Sequence, residues 1–493
     1  MIESIKAPVN ALIGGKWVPG SGGTFEIKSP HSREVIDNVS RCTPADIDKA
    51  VAAARAAQPA WAALPVIERA KILRRIHQLF LERAEPIALM LCHEIGKTIT
   101  DSREEVYEYA VPSYSKAAEE ILRHRGLSFP SSQEQTTNKR LVLGHRPLGV
   151  VGVITPYNFP TDIASIALAH IIGAGNTTVW KPSEFSPLSC AMVAQIFEDA
   201  GLPAGVVNVV QGFGDIGAAI VEHKDVDGIF FTGSTKTGEI IAKACALKPH
   251  LLELGGDGPF IILEDADIDA AVDGAINGCF YYSGQVCTSA ERLLVHEDIY
   301  DEFVEKFTAA AGKLVIGDPS LETTTMGPLC NETTLNRVKA HVEDARSKGA
   351  KIIQFGPEEG LYYPATILLG VDEDMQIMQE ETFGPVAPIM KIKSAEHAIE
   401  IANKSELGLI ASLWTRDLSN AWRVAEALPH GSVNVNETSN YWDQLAPFGG
   451  AGKSGVGREL SQWFLESFTE RKLIVFDLGN SEVKYNRRAE GGW

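Results

Sequence analysis

Positive charge is in short supply: 45 Lys and Arg stand against 64 Asp and Glu, a formal net charge of -19. Such a chain repels phosphate backbones and anionic lipid headgroups, which excludes nucleic acid and membrane surfaces as natural partners. Cysteine is scarce and poorly placed for cross-linking. The seven, Cys42, Cys92, Cys190, Cys245, Cys279, Cys287 and Cys330, are odd in number, widely scattered and contain no C-x-x-C pair. That argues against a disulfide frame or a zinc site and for reduced thiols. Long apolar runs are missing too. The most apolar stretch, 163–175, contains His170 and is too short to span a bilayer, and residues 1–20 carry no cationic segment followed by an apolar core. There is no fixed-period repeat and no low-complexity tract. These absences predict a cytoplasmic globular protein with small-molecule ligands and no metal.

What is present is ordinary in composition and regular in pattern. At 493 residues the chain exceeds what one hydrophobic core usually supports, so two or three domains are expected. Short extended stretches at 12–18 and 24–29 precede Thr43-Pro44-Ala45-Asp46, an N-cap with Pro at the first helical position and an acid three residues after the cap. This predicts a helix to about residue 63. A second helix is predicted over 68–95, where Ile72, Ile76, Leu79, Phe80 and Leu91 recur at helical spacing. After a polar stretch at 131–139, apolar runs at 150–155, 177–181, 206–210, 229–232 and 251–254 alternate with helical segments. Repeated strand-helix-strand units imply a parallel sheet covered on both faces, with ligands beyond the carboxyl ends of its strands. A second α/β series starts at 260–263 and continues through helices at 267–281, 298–314 and 335–348. Residues 471–478 alternate apolar and polar like a strand remote from both cores, as an arm would.

The turns after these strands hold the chemistry. In Thr155-Pro156-Tyr157-Asn158-Phe159-Pro160, two prolines stiffen the backbone around Asn158, whose neutral amide can donate to an oxyanion; a plain structural turn is the alternative. Lys181 and Glu184 of Trp180-Lys181-Pro182-Ser183-Glu184 can grip ribose hydroxyls or form a solvated surface pair. Gly212-Phe213-Gly214-Asp215-Ile216-Gly217 matches G-x-G-x-x-G, but no carboxylate ends the following strand. The pyrophosphate is therefore assigned to Thr232-Gly233-Ser234-Thr235, where a strand enters a helix N-terminus, and Gly214 is kept only as a cofactor-lining position. Glu253-Leu254-Gly255-Gly256 puts a carboxylate before a glycine pair. Ser283-Gly284-Gln285-Val286-Cys287-Thr288 sets one cysteine in a turn, where a nucleophilic thiol needs access. Glu381-Thr382-Phe383-Gly384-Pro385 adds an acid and a ring.

Taken jointly and in order, these turns resemble the aldehyde dehydrogenase superfamily over essentially the whole chain. The matching pieces are T-P-Y-N-F-P, W-K-P-S-E, F-T-G-S-T, E-L-G-G, G-Q-V-C, E-E-T-F-G-P-V and, near the end, Pro447-Phe448-Gly449-Gly450 with Lys453-Ser454-Gly455-Val456-Gly457-Arg458-Glu459. The resemblance implies NAD(P)-dependent oxidation of an aldehyde to a carboxylic acid. Cys287 would attack the aldehyde, Asn158 and the Cys287 N–H would hold the oxyanion, and Glu253 would activate the water that releases the acid. Thr155, Pro156, Tyr157, Lys181, Ser183, Glu184, Gly214, Thr232, Gly233, Ser234, Gly255, Glu381 and Phe383 would line the cofactor. A carboxylate at Glu184 disfavours a 2′-phosphate, so NAD is favoured and NADP remains possible.

The implied fold is α/β, with a Rossmann-type cofactor domain (1–128 and 148–255), a second α/β catalytic domain (256–453) and a small β oligomerisation element (129–147 and 469–493). A homodimer or homotetramer follows. Two departures stand out: Ala167 where many relatives carry Lys, and Asp257 where many carry Lys after E-L-G-G. The rival readings are a coenzyme A-acylating relative, disfavoured by Glu253, and a nucleotide-binding protein that has lost the reaction.

Overall fold

The N-terminal signal at Thr43 produces the helix its chemistry demands. In the computed structural model, which describes residues 5–132 and 138–479, the helix runs Pro44–Ala63, and the Asp46 carboxylate accepts from the Thr43 N–H at 3.0 Å. The single helix expected over 68–95 is two, Val66–Glu82 and Ala84–Ile95, broken at Arg83. Pro86 explains the break: its ring conflicts with a helical carbonyl four residues earlier. In the first turn of the second helix its missing N–H costs no bond.

The first sheet has eight strands. At its centre Val207–Val209, Thr177–Lys181, Val150–Ile154, Gly228–Thr232 and His250–Glu253 lie side by side and parallel. Alternate residues face opposite cores: Val151, Val153, Phe230 and Leu251 enter one cluster, Val150, Ile154, Ile229 and Leu252 another. Burial on both faces is why these segments read as unbroken apolar runs. The edges come from distant sequence. The hairpin of Ala11–Ile13 and Lys16–Val18 closes one side. On the other, Gly455–Val456 pairs antiparallel with Glu253 and Leu252.

A second sheet of seven strands, ordered Lys351–Phe355, Ala365–Leu369, Val386–Ile392, Arg292–His296, Pro259–Ile262, Ile410–Trp414 and Ser432–Val435, is parallel except at its first strand. A third, small sheet joins Thr469–Asp477, Lys139–Pro147 and Leu127–Pro130, all antiparallel. The predicted tail strand is thus present, and its nine-residue ladder with Lys139–Pro147 is formed by segments far apart in the chain. Of the expected terminal element, residues 480–493 lie outside the described residues, as do 133–137 of the polar stretch. Among the described residues no helix is long and apolar enough to cross a membrane.

Candidate active site

The order of strands in the first sheet creates the cleft. The chain steps from Val150–Ile154 outward to Thr177–Lys181 and Val207–Val209, then crosses back to place Gly228–Thr232 on the opposite flank. Where direction reverses, the loops beyond the carboxyl ends part. The opening is a cleft of about 660 Å³, within the usual range of roughly 300–1,000 Å³ for small-molecule sites. Thr155, Pro156, Tyr157, Lys181, Ser183, Glu184, Gly214, Thr232, Gly233, Ser234, Gly255, Glu381 and Phe383 all line it, together with Asn158 and Cys287.

The walls suit a dinucleotide. Ser234 caps the helix Thr235–Cys245, its hydroxyl accepting from the Thr237 N–H at 3.3 Å, and the N–H groups of this first turn together with the helix dipole favour phosphate. Lys181 is buried, donates to the Pro182 carbonyl at 3.1 Å and lies 3.5 Å from the Glu184 carboxylate. At Gly214 a Cβ would meet nothing within 4 Å, so the glycine-rich loop does not crowd the cleft. Phe383 holds a left-handed φ of 56°. Its turn is pinned by Glu291, which accepts from the Thr382 and Phe383 N–H groups at 3.1 and 2.9 Å. Burial pushes the Glu291 carboxyl up to about 8. Glu381 accepts from the Gly256 N–H at 3.0 Å, and burial pushes it up to about 7.

Asn158 and Cys287 meet through Gln285. The Asn158 Nδ2 donates to the Gln285 carbonyl at 3.0 Å, two residues before the thiol. The Gln285 side chain accepts from the Cys330 N–H at 2.9 Å and the Tyr157 hydroxyl at 3.2 Å. One buried amide therefore ties the Asn158 turn to the Cys287 turn. Cys287 is the partly exposed member of the seven cysteines; the other six are buried. Its thiol is pushed well up by burial first and then by Glu381, Glu253 and Glu459. Gly256 must be glycine, since a Cβ there would stand 2.5 Å from the Cys287 carbonyl oxygen.

Glu253 is not among the residues that line the cleft. It is 3% exposed, and neither carboxylate oxygen has a hydrogen-bond partner. Burial and then Glu459 push its carboxyl strongly up, while Arg458 pulls it down. Glu459 itself is raised to about 8 by burial. A Cβ on Gly449 would come within 2.5 Å of the Glu253 Oε1.

The whole-chain comparisons agree with this geometry. The Aldehyde dehydrogenase family profile matches residues 17–474. Glutarate-semialdehyde dehydrogenase of Pseudomonas putida is 39% identical over 95% of this chain and 98% of its own length. The NADP(+) succinate-semialdehyde dehydrogenase of Escherichia coli is 38% identical over 95% and 98%. The crystal structure of betaine aldehyde dehydrogenase from Staphylococcus aureus in complex with NAD+ superposes with a TM-score of 0.94 at 32% identity, covering 98% of each chain. The chain belongs to the aldehyde dehydrogenase family.

The reaction of this aldehyde dehydrogenase is accordingly the NAD(P)-dependent oxidation of an aldehyde to its carboxylic acid, and nothing found favours the coenzyme A-acylating alternative. One departure now has a cause. Asp257 forms a fully buried ion pair with Arg292 at 3.3 Å, and the Arg292 Nε donates to the Asp257 carbonyl at 2.9 Å. Arg292 is thereby committed to the second sheet. Ala167 is buried in the helix Pro160–Gly173 among apolar neighbours. Sequence reasoning passed over Gln285 and Glu459, although both stand inside quoted motifs. It also passed over Glu291, which no local pattern marks.

Proposed function

We propose that Cys287 is the nucleophile, Asn158 the oxyanion donor and Glu253 the base of this aldehyde dehydrogenase. The observation that carries the reading is the 3.0 Å bond from Asn158 to the Gln285 carbonyl, which supports an amide aimed at the turn bearing the one accessible thiol. The thiol gives its proton to water in the cleft as the sulfur bonds to the aldehyde carbon, and the alkoxide so formed is stabilised by the Asn158 amide and the Cys287 N–H. When bound, the nicotinamide supplies the hydride acceptor. The resulting thioester on Cys287 is opened by water that Glu253 deprotonates, which frees the acid and restores the thiol. Lys181 and Glu184 hold the adenosine ribose, Ser234 the pyrophosphate, and Glu381 with Phe383 the nicotinamide end. The Glu184 carboxylate repels a 2′-phosphate and favours NAD.

For the aldehyde, relatives named for succinate and glutarate semialdehyde would suggest a carboxylated substrate, which calls for a cation near the thiol. Arg292 is spent on Asp257, and Arg337, the arginine of the cleft lining, donates to the Thr382 carbonyl at 3.0 Å. Beside Asn158 stand rings instead: Phe159 lies 6.1 Å from Trp442, and Trp442 lies 5.1 Å from Tyr109. This favours a neutral aryl or aliphatic aldehyde. A panel of semialdehydes, hydroxyaldehydes and benzaldehydes compared by kcat/KM tests it, with preference for a semialdehyde refuting it. Cys287→Ala must abolish NADH production and preserve cofactor binding; unchanged turnover refutes the assignment of the nucleophile.

The division into cofactor (1–128, 148–255), catalytic (256–453) and assembly (129–147, 469–493) parts is supported by the three sheets. The first gains 454–468 through the strand Gly455–Val456 and the helix Ser461–Ser467. The third sheet exposes Leu127, Phe129, Val142, Leu473, Ile474, Val475 and Phe476. Leu127, Phe129, Leu473 and Val475 share one face and Val142, Ile474 and Phe476 the other, and exposed apolar faces of this kind favour burial against a second copy, as a dimer or tetramer that light scattering will size. The free thiols favour a cytoplasmic setting.

A further inference from the structure

Lys97 and Glu105 form an ion pair with no solvent exposure at all, far from the surface where such pairs are common. Their local structure is unusual. Gly96 ends the helix Ala84–Ile95 in a left-handed turn with φ 74°, and a Cβ there would meet Pro328 at 2.8 Å, so the chain is forced to deliver Lys97 inward. Glu105 opens a π-helical segment, Glu105–Ala110, between two α-helices, a distortion frequent at functional sites.

The pair touches both halves of the catalytic geometry. One oxygen of Glu105 accepts from the Thr161 N–H at 2.9 Å, the Thr161 hydroxyl at 2.7 Å and the Asp162 N–H at 3.2 Å. These donors belong to the first turn of the helix Pro160–Gly173, which starts two residues after Asn158. The other oxygen accepts from Lys97. The Lys97 ammonium in turn lies 3.5 Å from the centroid of Phe159 and 4.5 Å from that of Tyr282. Phe159 adjoins Asn158. Tyr282 and Ser283 open the nucleophile turn with left-handed φ values of 45° and 55°, a conformation that persists only where neighbours hold it. The Tyr282 hydroxyl is further tied to the Ile95 carbonyl at 3.1 Å.

A buried ion pair is weak support for stability, because desolvation offsets the attraction. Its value here lies in geometry: one ammonium packs against a ring from each turn, and one carboxylate anchors the helix behind the amide. Resting on the roles given above to Asn158 and Cys287, we propose that the Lys97–Glu105 pair is a positioning device that sets the oxyanion donor and the nucleophile turn in register.

The test uses Lys97→Met, Lys97→Arg and the neutral double variant Lys97→Met/Glu105→Gln, with Cys287→Ala alongside. Lys97→Met leaves a buried carboxylate alone and should lower thermal stability, which the double variant restores by removing that charge. Register is not restored. The pre-steady-state NADH burst rate of the double variant should fall about 10²-fold, as for misplacements near 1 Å, with the Kd for NAD, read by fluorescence, within about twofold of the parent. Iodoacetamide alkylation of Cys287 in the cofactor-free protein should change as well, and Lys97→Arg should recover part of the burst. A folded double variant with the parental burst rate overturns the proposal, as does a double variant that cannot fold, which would make the pair a folding element. A burst that survives Cys287→Ala would instead overturn the nucleophile assignment.

Discussion

Gly449→Ala isolates the base from the rest of the machinery. Gly449 has a φ of 149°, and its Cβ would fall 2.5 Å from the Glu253 Oε1, 3.1 Å from the Arg458 Cδ and 3.1 Å from the Gly457 carbonyl oxygen. Essentially no real Cβ contact is that short, so the carboxylate, as the flexible end, must yield by about 1 Å. The left-handed backbone adds strain of about 1–3 kcal/mol, tolerable for a protein of this size. A shift near 1 Å at a reacting group costs about 10²-fold, and a general base contributes about 10²–10⁴-fold. The loss should fall on thioester hydrolysis alone. In a stopped-flow experiment with saturating aldehyde and NAD, Gly449→Ala should give a burst of about one NADH per site at the parental rate, then a steady state about 10²-fold slower. A parental steady state, or a burst slowed as much as turnover, would refute the placement of Glu253 as the hydrolytic base.

Three further outcomes follow from the charges around the thiol and the ribose. Burial and then the charge of Glu459 raise Glu253, and burial brings Glu459 to about 8, so the pair keeps a proton at neutral pH and hydrolysis should quicken as pH rises from 6 to 9. Glu459→Gln should move that limb to lower pH, and a limb that stays put would exclude the coupling. Because burial, Glu381, Glu253 and Glu459 push Cys287 up, alkylation of the cofactor-free protein by iodoacetamide should be slow near pH 7 and climb with pH. Glu381→Gln should accelerate it, whereas a fast, pH-independent rate would show the thiolate to be free. Glu184→Gln should improve kcat/KM with NADP at least about tenfold relative to NAD, measured as a ratio on one preparation; an unchanged ratio would remove Glu184 from cofactor choice.

The parallel strands were readable because burial on both faces turns each into an apolar run closed by a glycine or proline turn, and the chemistry sits in those turns. Asn158, Lys181, Thr232 and Gly255 were legible for that reason, whereas Cys287 stands in a turn between the helix Ile268–Phe280 and the strand Arg292–His296 and was marked by its motif alone. The break at Arg83 was missed because helical periodicity continues through Pro86, and only the ring's conflict with the preceding turn ends it. Glu459 escaped because its nearness to Glu253 is created by the antiparallel register of Gly455 with Glu253, a pairing of distant segments with no local periodicity. Gln285 and Glu291 act through side-chain bonds to backbone groups elsewhere in the chain. Such bonds leave no trace in spacing. Asp257 makes sense only once Arg292 arrives from the neighbouring strand of the second sheet.

The short edge strand at 455–456 also bears on how the protein comes into being. Translation delivers Asn158, Glu253 and Cys287 to the ribosome exit well before the segment that flanks the base. Domains emerging from the ribosome fold N-terminal first, yet the first sheet and its core wait for this late segment, which supplies the strand beside Glu253 and the core residues Phe464 and Phe468. On the role proposed for Glu253, water activation is thus the last part of the chemistry to be completed in synthesis, when Gly455–Val456 pairs beside it.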